Sequence, residues 1–203
     1  LYLFRKFLTD TAGPGRNRGG VSVGHGYMLH DVDKMNIRFA CHCYEAPSSL
    51  GMFGGYPAAC NKRTLQKNAN ARAQIEAGHL PTSIKGELQS YPAKMTQPDT
   101  FGPDDVYENG PSAGAGWGDP VEREPDRVAE DVRYELVSEG VARDIYGVIV
   151  TKDRKLDTKA TEKRRAEIRN ERLTWIAEKT LSGGPDAKSK GDLVATIGDR
   201  ASI

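Results

Sequence analysis

The sequence predicts an α+β fold in which a glycine-rich antiparallel β region precedes a helical C-terminal region. The 22 glycines concentrate in residues 13–26, 51–55 and 102–118, whereas residues 152–180 contain none. Apolar residues recur with a period close to two near the start of the chain and at helical spacing after Asp119. This change of period separates the two regions.

Three strands are predicted in the β region, at residues 1–8, 21–29 and 35–44, where aromatic and β-branched residues fill short runs. Glycine-rich turns are predicted at residues 10–20 and 51–57. Successive glycines permit positive φ and let another backbone or a ligand approach closely, but a tight turn without a ligand explains them equally well.

Residues 61–110 are mostly polar and predict a long excursion of a β domain that spans residues 1–118. A short helix is expected at residues 68–77, ended by Gly78, and a strand at residues 86–91. Pro81, Pro92, Pro98 and Pro103 prevent long helices in the rest of this segment. Because a loop of this length is unusual inside a compact domain, the segment indicates contact with a partner subunit.

A helical region is predicted at residues 119–181. Its first helix has Pro125 near its first position, where the missing N–H is not needed. Val128, Val132 and Leu136 follow at four-residue spacing and form one apolar stripe.

The rest of the helical region is predicted from its caps. Ser138 caps a second, shorter helix that ends at Gly147, and a buried strand is expected at residues 148–150. A charged helix at residues 158–181 carries only a discontinuous apolar stripe. Residues 182–203 are expected to form a flexible tail that carries a docking strand.

The composition excludes several classes of partner. Lys and Arg number 29 against 28 Asp and Glu, a balance that gives no electrostatic footprint for nucleic acid. No run of about 18 apolar residues exists, so no membrane-spanning helix is predicted. The odd number of cysteines, 3, is typical of reduced thiols and favours a cytoplasmic protein.

One group of residues has the ligand types of a zinc site: Cys41, His42 and Cys43, with Cys60 as a fourth ligand. The spacing is tight for tetrahedral zinc, and adjacent strand residues point to opposite faces of a sheet. We therefore interpret the thiols as small buried side chains and predict no metal site. The other histidines lack a carboxylate partner at ligand spacing: His25, His30 and His79.

Arg16 and Arg18 lie among the glycines of residues 10–20. Guanidinium groups bind carboxylates and phosphates through paired hydrogen bonds, and glycines expose backbone N–H groups, so the segment is suited to clamping an anion. The alternative, which we favour, is a strand connection held by salt bridges. Residues 112–120 are similar to a phosphate loop only in their glycines, since no Lys follows and Pro120 occupies the next helix start.

Several motifs together resemble one family. Residues 10–20 are similar to D-S-G-G-x-G-x-x-R-G-G, residues 53–57 match F-G-G-x-P, and residues 114–120 are similar to G-G-G-Y-G-D-P. Residues 122–148 then follow the ending E-R-D-P…V…D-V…V-S…A…Y-G-V. These motifs, in this order, resemble the hydantoinase B, 5-oxoprolinase and acetone carboxylase alpha-subunit group over residues 1–175.

The resemblance implies that the chain corresponds to the C-terminal third of a larger subunit in a hetero-oligomeric, ATP-dependent enzyme. It implies a hydantoinase A-type partner that binds ATP, and a divalent metal held in the N-terminal portion of the hydantoinase B-type subunit. The chain departs from the family pattern at Thr11, Ala12 and Trp117. Residues 56–61 and the polar stretch after them favour the acetone and acetophenone carboxylase branch, in which bicarbonate is a co-substrate.

Three functional hypotheses follow from the resemblance. The chain is a C-terminal segment or separate subunit of an ATP-dependent ketone carboxylase, a subunit of an ATP-dependent hydantoinase, oxoprolinase or lactamase, or a non-catalytic assembly domain of such a complex. No catalytic residue is assigned, and the isolated chain is expected to be inactive. The residues expected to shape loops or orient an anion or interface carboxylate are Gly54, Gly55, Gly116, Gly118, Arg16 and Arg18.

Overall fold

The computed structural model describes residues 1–37, 43, 46–90 and 99–181. The elements in chain order are β1 (Tyr2–Phe7), β2 (Val23–Met28), β3 (Met35–Ile37), β4 (Lys62–Lys67), α1 (Ala71–Glu76), β5 (Glu87–Ser90), β6 (Asp99–Phe101), β7 (Val106–Gly110), a 3-10 turn (Pro120–Glu122), α2 (Pro125–Arg133), α3 (Glu139–Asp144) and α4 (Thr158–Leu181). The predicted α+β fold class is confirmed. Within these ranges no helix is both long and apolar enough to span a membrane.

Five strands form one antiparallel sheet in the order β1-β2-β7-β4-β5, and β3 pairs with β6 in a separate two-stranded sheet. The register of the central strand places Tyr107 of β7 opposite both Tyr27 of β2 and Leu65 of β4. The rings of Tyr27 and Tyr107 have centroids 4.9 Å apart. Cross-strand pairs of this kind stabilise the middle of the sheet.

The large sheet has a small apolar core on each face. Val106 and Tyr107 are neighbours on β7, and their side chains enter different cores because successive strand residues point to opposite faces. The core around Val106 also contains Met28, Ala69 and Ala71. The core around Tyr107 contains Leu29, Leu65 and Phe101.

Two glycines of β2 make room for side chains from the start of the chain. A Cβ on Gly24 would lie 2.6 Å from Cδ2 of Leu8, and a Cβ on Gly26 would meet the ring of Phe4. In the pairing of β1 with β2, Gly24 lies opposite Lys6 and Gly26 lies opposite Phe4. The glycines therefore let the side chains of Phe4, in β1, and of Leu8, just after it, pack against β2.

The polar segment 61–110 contributes more strands than its composition predicts. The expected strand near residues 86–91 is present as β5, and the expected short helix is α1. The prediction of a long excursion named no strand at β4 or β7, which occupy the middle of the large sheet. β4 buries only the side chains of Arg63 and Leu65, and β7 only those of Val106 and Tyr107, so their apolar content is too low to identify them by composition.

The helical region has its own core, formed by buried residues of α2, α3 and their connections: Val128, Val132, Val137, Ala142, Tyr146 and Val148. The predicted stripe continued through Leu136, but α2 ends at Arg133 and Glu135 adopts a positive φ of 59°. This turn shifts the phase of the chain by one residue. Val137, rather than Leu136, therefore enters the core.

The caps of the helical region agree with the sequence prediction. The Ser138 hydroxyl accepts a hydrogen bond from Val141 N at the start of α3, and Gly147 has a φ of +64° after its end. The strand predicted at residues 148–150 is wrong, because Val150 forms only an isolated bridge with Leu156. The charged helix is confirmed as α4, which buries Ile168.

Several predictions fall partly or wholly outside the described residues. The strand β3 confirms the start of the strand predicted at residues 35–44, and residues 38–42, 44 and 45 lie outside the described ranges. The tail at residues 182–203 and its docking strand also lie outside them. The division of the chain at residues 118 and 181 stays a prediction.

Candidate functional site

Three glycine-rich segments, residues 13–20, 51–56 and 114–118, meet in one hydrogen-bonded unit, which we call the glycine junction. The first and third segments run side by side, and Asn17 and Trp117 exchange backbone hydrogen bonds of 2.9 and 3.0 Å. The segments are far apart in sequence, so only the tertiary fold brings them together.

The second segment joins the other two through the backbone of Tyr56. Its N–H donates to the Pro14 carbonyl over 2.7 Å, and its carbonyl accepts from Gly116 N over 2.9 Å. Met52 repeats this arrangement, since its N–H donates to the Gly116 carbonyl over 3.1 Å and its carbonyl accepts from Gly118 N over 2.9 Å. These bonds satisfy backbone groups that lie outside the regular sheet.

The four glycines predicted to shape loops all lie in the junction. A Cβ on Gly116 would collide with the carbonyl group of Pro14, and a Cβ on Gly55 would collide with the carbonyl group of Gly116. Gly54 and Gly118 have φ values of +88° and +74°, which side-chain-bearing residues rarely adopt. Close backbone approach and backbone conformation thus give physical reasons for glycine at these positions.

Arg18 leaves the junction and contacts helix α2. Its Nε and Nη2 each donate a 3.0 Å hydrogen bond to a carboxylate oxygen of Asp131, and its Nη1 donates to the Gly19 carbonyl over 2.7 Å. Arg123 Nη2 donates a further 3.0 Å bond to Asp131. The side chain of Asp131 is only 9% exposed, so one buried carboxylate joins two guanidinium groups.

One polar atom of this cluster, Arg123 Nε, is buried and has no hydrogen-bond partner among the described residues, and the buried Tyr146 hydroxyl lies beside the cluster and the Gly15 backbone. Burial raises the pKa of Tyr146 to about 12, although the nearby charges of Arg123 and Arg18 act in the opposite direction. The buried cluster, with two guanidinium groups and one carboxylate, therefore carries one excess positive charge.

Asp131 and Arg123 belong to the motif of residues 122–148, and the sequence analysis assigned neither of them a role. A signal for Asp131 was present, because it lies between Val128 and Val132 on the buried side of α2. A carboxylate on a buried helix face requires a cationic partner. The identity of that partner, 113 residues earlier in the chain, was not accessible from local pattern.

Arg16 has a different environment from Arg18. Its backbone N–H donates to the Gly118 carbonyl over 3.1 Å, and its side-chain carbons lie against Gly118. The residue is exposed. Within the described part of the chain, its guanidinium group makes neither a hydrogen bond nor an ion pair. The two arginines predicted as an anion clamp are thus not equivalent, since one is paired internally and the other faces outward.

Asp119 connects the end of the junction to helix α4. Its Oδ1 accepts from Val121 N over 2.9 Å and caps the 3-10 turn, while its Oδ2 accepts from Arg172 Nη1 over 2.6 Å. Arg165 makes a second connection, donating from Nη2 to the Arg123 carbonyl over 2.6 Å. Arg165 and Arg172 therefore hold helix α4 against the segment that follows the glycine junction, residues 119–123.

The cysteines and histidines do not converge in the described ranges. Cys43 and Cys60 are free thiols of intermediate burial, and Cys41 and His42 lie outside the described residues. In those ranges no group of three or more His, Cys, Asp or Glu side chains could hold a metal ion. The Nε2 atom of His30 lies 3.4 Å from Oδ2 of Asp31, and both side chains are exposed.

A comparison with protein families matches residues 2–120 to the hydantoinase B/oxoprolinase family. The match covers more than half of the chain and takes in all three segments of the glycine junction. The chain therefore belongs to the hydantoinase B/oxoprolinase family, in agreement with the resemblance seen in its motifs.

Two curated relatives refine this class. The chain is 30% identical to the acetone carboxylase alpha subunit of Xanthobacter autotrophicus over 196 residues, covering 85% of this chain and 25% of that protein. It is 26% identical to the acetophenone carboxylase delta subunit of Aromatoleum aromaticum over 155 residues, covering 68% of this chain and 22% of that protein. The chain thus spans about a quarter of the length of these relatives.

Solved structures show the same relationship. The nucleotide-free structure of acetone carboxylase, an ATP-dependent enzyme, matches with a TM-score of 0.72 and 28% identity, over 90% of this chain and 27% of that chain. The ATP-dependent caprolactamase of Pseudomonas jessenii matches with a TM-score of 0.54 and 24% identity, over 80% of this chain and 25% of that chain. The second likeness concerns the fold alone.

Proposed function

We propose that this chain is the C-terminal segment, or a separately made subunit, of a multisubunit ATP-dependent ketone carboxylase. One observation carries the proposal: sequence similarity to an acetone carboxylase subunit extends over 85% of the chain. The second relative is also a subunit of a ketone carboxylase by name. Their substrates, acetone and acetophenone, share a carbonyl group flanked by a methyl group, which defines the proposed substrate class.

The cofactors of the proposed enzyme are ATP and a divalent metal, with bicarbonate as co-substrate. ATP supplies the phosphoryl groups that activate the ketone enol and bicarbonate. We assign ATP binding to a hydantoinase A-type subunit and the metal to the N-terminal portion of the hydantoinase B-type subunit. The described residues of this chain contain no cluster of side chains that could hold a metal ion, and we assign no catalytic role to them.

The proposed contribution of this chain is structural support for the complex. The hydrogen bonds of the glycine junction fix the positions of Gly54, Gly55, Gly116 and Gly118, which shape its loops. Arg18 holds the junction to α2 through Asp131. Arg16 is exposed beside the junction and is suited to orient an anion or an interface carboxylate.

The decisive experiment uses the enzyme isolated from its own source without tags. Native mass spectrometry identifies the chains of the assembly, and ATP hydrolysis is then measured with acetone or acetophenone, with and without bicarbonate. A ketone carboxylase hydrolyses ATP at a rate that requires both the ketone and bicarbonate. Detection of a free 22.2 kDa monomer would contradict the multisubunit proposal.

A second candidate is ATP-dependent opening of a cyclic amide such as a hydantoin, 5-oxoproline or a lactam. The family that matches residues 2–120 includes oxoprolinases, which supports this candidate. Cyclic amide opening consumes water rather than bicarbonate. ATP turnover that depends on a cyclic amide and ignores bicarbonate would therefore replace the carboxylase proposal with this one.

A third candidate is a non-catalytic assembly domain, and it is compatible with either reaction. The Arg18 guanidinium is already engaged by Asp131 and Gly19, which is typical of a structural arginine. If the chain only supports assembly, complexes that still assemble with Arg16→Ala keep their full ATP turnover. Loss of turnover from an intact complex would contradict a purely structural role. For all three candidates we propose a cytoplasmic location, based on the cysteine content.

A further inference from the structure

An exposed apolar surface lies on the glycine junction. We call it the junction patch and define it by Met52, Phe53 and Trp117, whose exposed fractions are 58%, 75% and 43%. The Phe53 and Trp117 rings meet edge to face with centroids 5.7 Å apart, and Met52 forms a backbone bridge with Trp117. The three side chains therefore form one continuous surface on a backbone that is fixed by hydrogen bonds. Contiguous exposed apolar surface on a rigid scaffold marks an interaction site.

The backbone of Phe53 adds an independent observation. Its φ is +51°, in the left-handed region that glycine and asparagine occupy more readily than a bulky aromatic residue. A phenylalanine in this conformation is strained, and in this chain its ring is mostly exposed. Neither backbone geometry nor burial explains an aromatic residue at position 53. Strain of this kind is typical of sites where a side chain is held ready for a contact.

A cation lies beside the patch. The Arg16 side chain lies against Gly118, the residue after Trp117, and among the described residues its guanidinium has no hydrogen-bond or ion-pair partner. Next to the two exposed aromatic rings and the thioether, the exposed Arg16 side chain thus offers a guanidinium group that no described residue engages. The complement of this surface is an apolar segment that carries a carboxylate, because arginine pairs with carboxylates through two parallel hydrogen bonds.

We propose that the junction patch and Arg16 dock the N-terminal portion of the hydantoinase B-type subunit, through an apolar segment with a carboxylate that pairs with Arg16. This inference rests on the proposed function, because only that proposal assigns the complex an N-terminal portion of the hydantoinase B-type subunit. In the matched relatives, the region similar to this chain makes up about a quarter of one longer polypeptide. The remainder of that polypeptide is thus held at high effective concentration beside this region and is the favoured occupant.

Photo-cross-linking in the assembled enzyme tests the occupant. The photoreactive residue p-benzoylphenylalanine replaces Phe53, and a matched control carries it at Tyr134, an aromatic residue in the helical region that is 63% exposed. We expect the Phe53 probe to cross-link to the N-terminal portion, identified by mass spectrometry of the joined peptides. Cross-links to the hydantoinase A-type subunit or to a second copy of this chain would overturn the proposal.

Hydroxyl-radical footprinting of the unmodified protein tests whether the junction patch is covered, and it does so even if the photoreactive residue prevents assembly. Met52, Phe53 and Trp117 are expected to oxidise at least about tenfold more slowly in the assembled enzyme than in the isolated chain, because a docked segment excludes water from them. Equal oxidation rates in the two states show that nothing covers the patch and overturn the proposal.

Phe53→Gly separates docking from folding. The substitution removes the ring and relaxes the positive φ, so the isolated chain should be at least as resistant to urea as the parent chain. In the assembled enzyme, protection of Trp117 from oxidation should fall about tenfold or more. Leu80→Ser is the control, since Leu80 is 83% exposed and lies outside the patch. Unchanged protection of Trp117 in Phe53→Gly would contradict the role of the ring.

The two proposals fail separately. The enzyme could show cross-links from position 53 to the N-terminal portion but no bicarbonate-dependent turnover of a ketone. This result would support the docking proposal and contradict the carboxylase proposal. Ketone and bicarbonate turnover in an enzyme without those cross-links keeps the carboxylase and rejects the docking surface.

Discussion

Arg18 of the glycine junction and Asp131 of α2 are separated by 113 residues and joined by two 3.0 Å hydrogen bonds. This bidentate pair connects the β region to the helical region at a position where both side chains are largely buried. Arg123 shares the same carboxylate. Removing the carboxylate therefore leaves two buried guanidinium groups without their counter-ion, and the consequence is measurable.

Asp131→Ala is expected to lower the free energy of unfolding by about 3–5 kcal/mol, since breaking a buried ion pair leaves an uncompensated charge. Urea unfolding followed by circular dichroism measures the change. Asp144→Ala is the matched control, because its pair with Arg143 is exposed to solvent. The control should unfold at the same urea concentration as the parent chain. A similar result for Asp131→Ala would show that the buried pair does not stabilise the fold.

Gly116→Ala is expected to destabilise the chain by at least about 2 kcal/mol, because the new methyl group collides with the Pro14 carbonyl group inside the junction. Thermal unfolding measures the effect, and the yield of folded protein replaces it if the variant does not fold. Gly20→Ala is the control, since a Cβ there meets no atom within 4 Å. Equal loss in both variants would mean that backbone packing at Gly116 is not the cause.

Stability should fall as the pH rises from about 10 to about 12. Burial raises the pKa of Tyr146 to about 12 from an ordinary value of 10.0, so the unfolded chain loses its phenolic proton first. The stabilising contribution is complete below pH 10 and is lost as the pH rises through the folded-state pKa, by about 2–3 kcal/mol at most. Urea unfolding at pH 8 and pH 11 measures the decline.

Tyr146→Phe identifies the residue responsible, because Tyr27 also has a pKa raised to about 12, chiefly by burial. The phenylalanine variant should lose less stability at high pH than the parent chain. At neutral pH it should lose at most about 1 kcal/mol, since the Tyr146 hydroxyl interacts with one backbone group, that of Gly15, and a single hydrogen bond contributes about that much. The exposed Tyr134 provides the control, and Tyr134→Phe should keep the full pH dependence. An identical decline in Tyr146→Phe would assign the effect elsewhere.

Asp119→Ala should cost more stability than Arg172→Met. The first substitution removes both the cap of the 3-10 turn and the ion pair to α4, whereas the second removes only the ion pair. Loss of a capping side chain costs about 1 kcal/mol, and a pair in which both partners are more than a third exposed contributes less. A double-mutant cycle by urea unfolding, at low and high salt, measures both contributions. Equal losses would show that the cap contributes nothing.

Local sequence pattern was sufficient where one segment contains both the signal and the structure. Ser138 marked the start of α3 because a hydroxyl at that position accepts the backbone N–H three residues later. The charged helix was equally visible, since no glycine or proline interrupts residues 158–181. The pattern failed for β4 and β7, whose polar side chains are acceptable only because neighbouring strands lie on both sides.

The sequence by itself determined the α+β class, the helices of the C-terminal region with their caps and, through its motifs, membership of the family. These properties depend on local periodicity, on caps and on the identity of short glycine-rich segments. Only the tertiary structure decided that Arg18 pairs with Asp131 while Arg16 faces outward, and that Phe53 and Trp117 share one exposed surface. These contacts join residues that are far apart in the chain, and their geometry is set by the hydrogen bonds of the glycine junction rather than by any local preference.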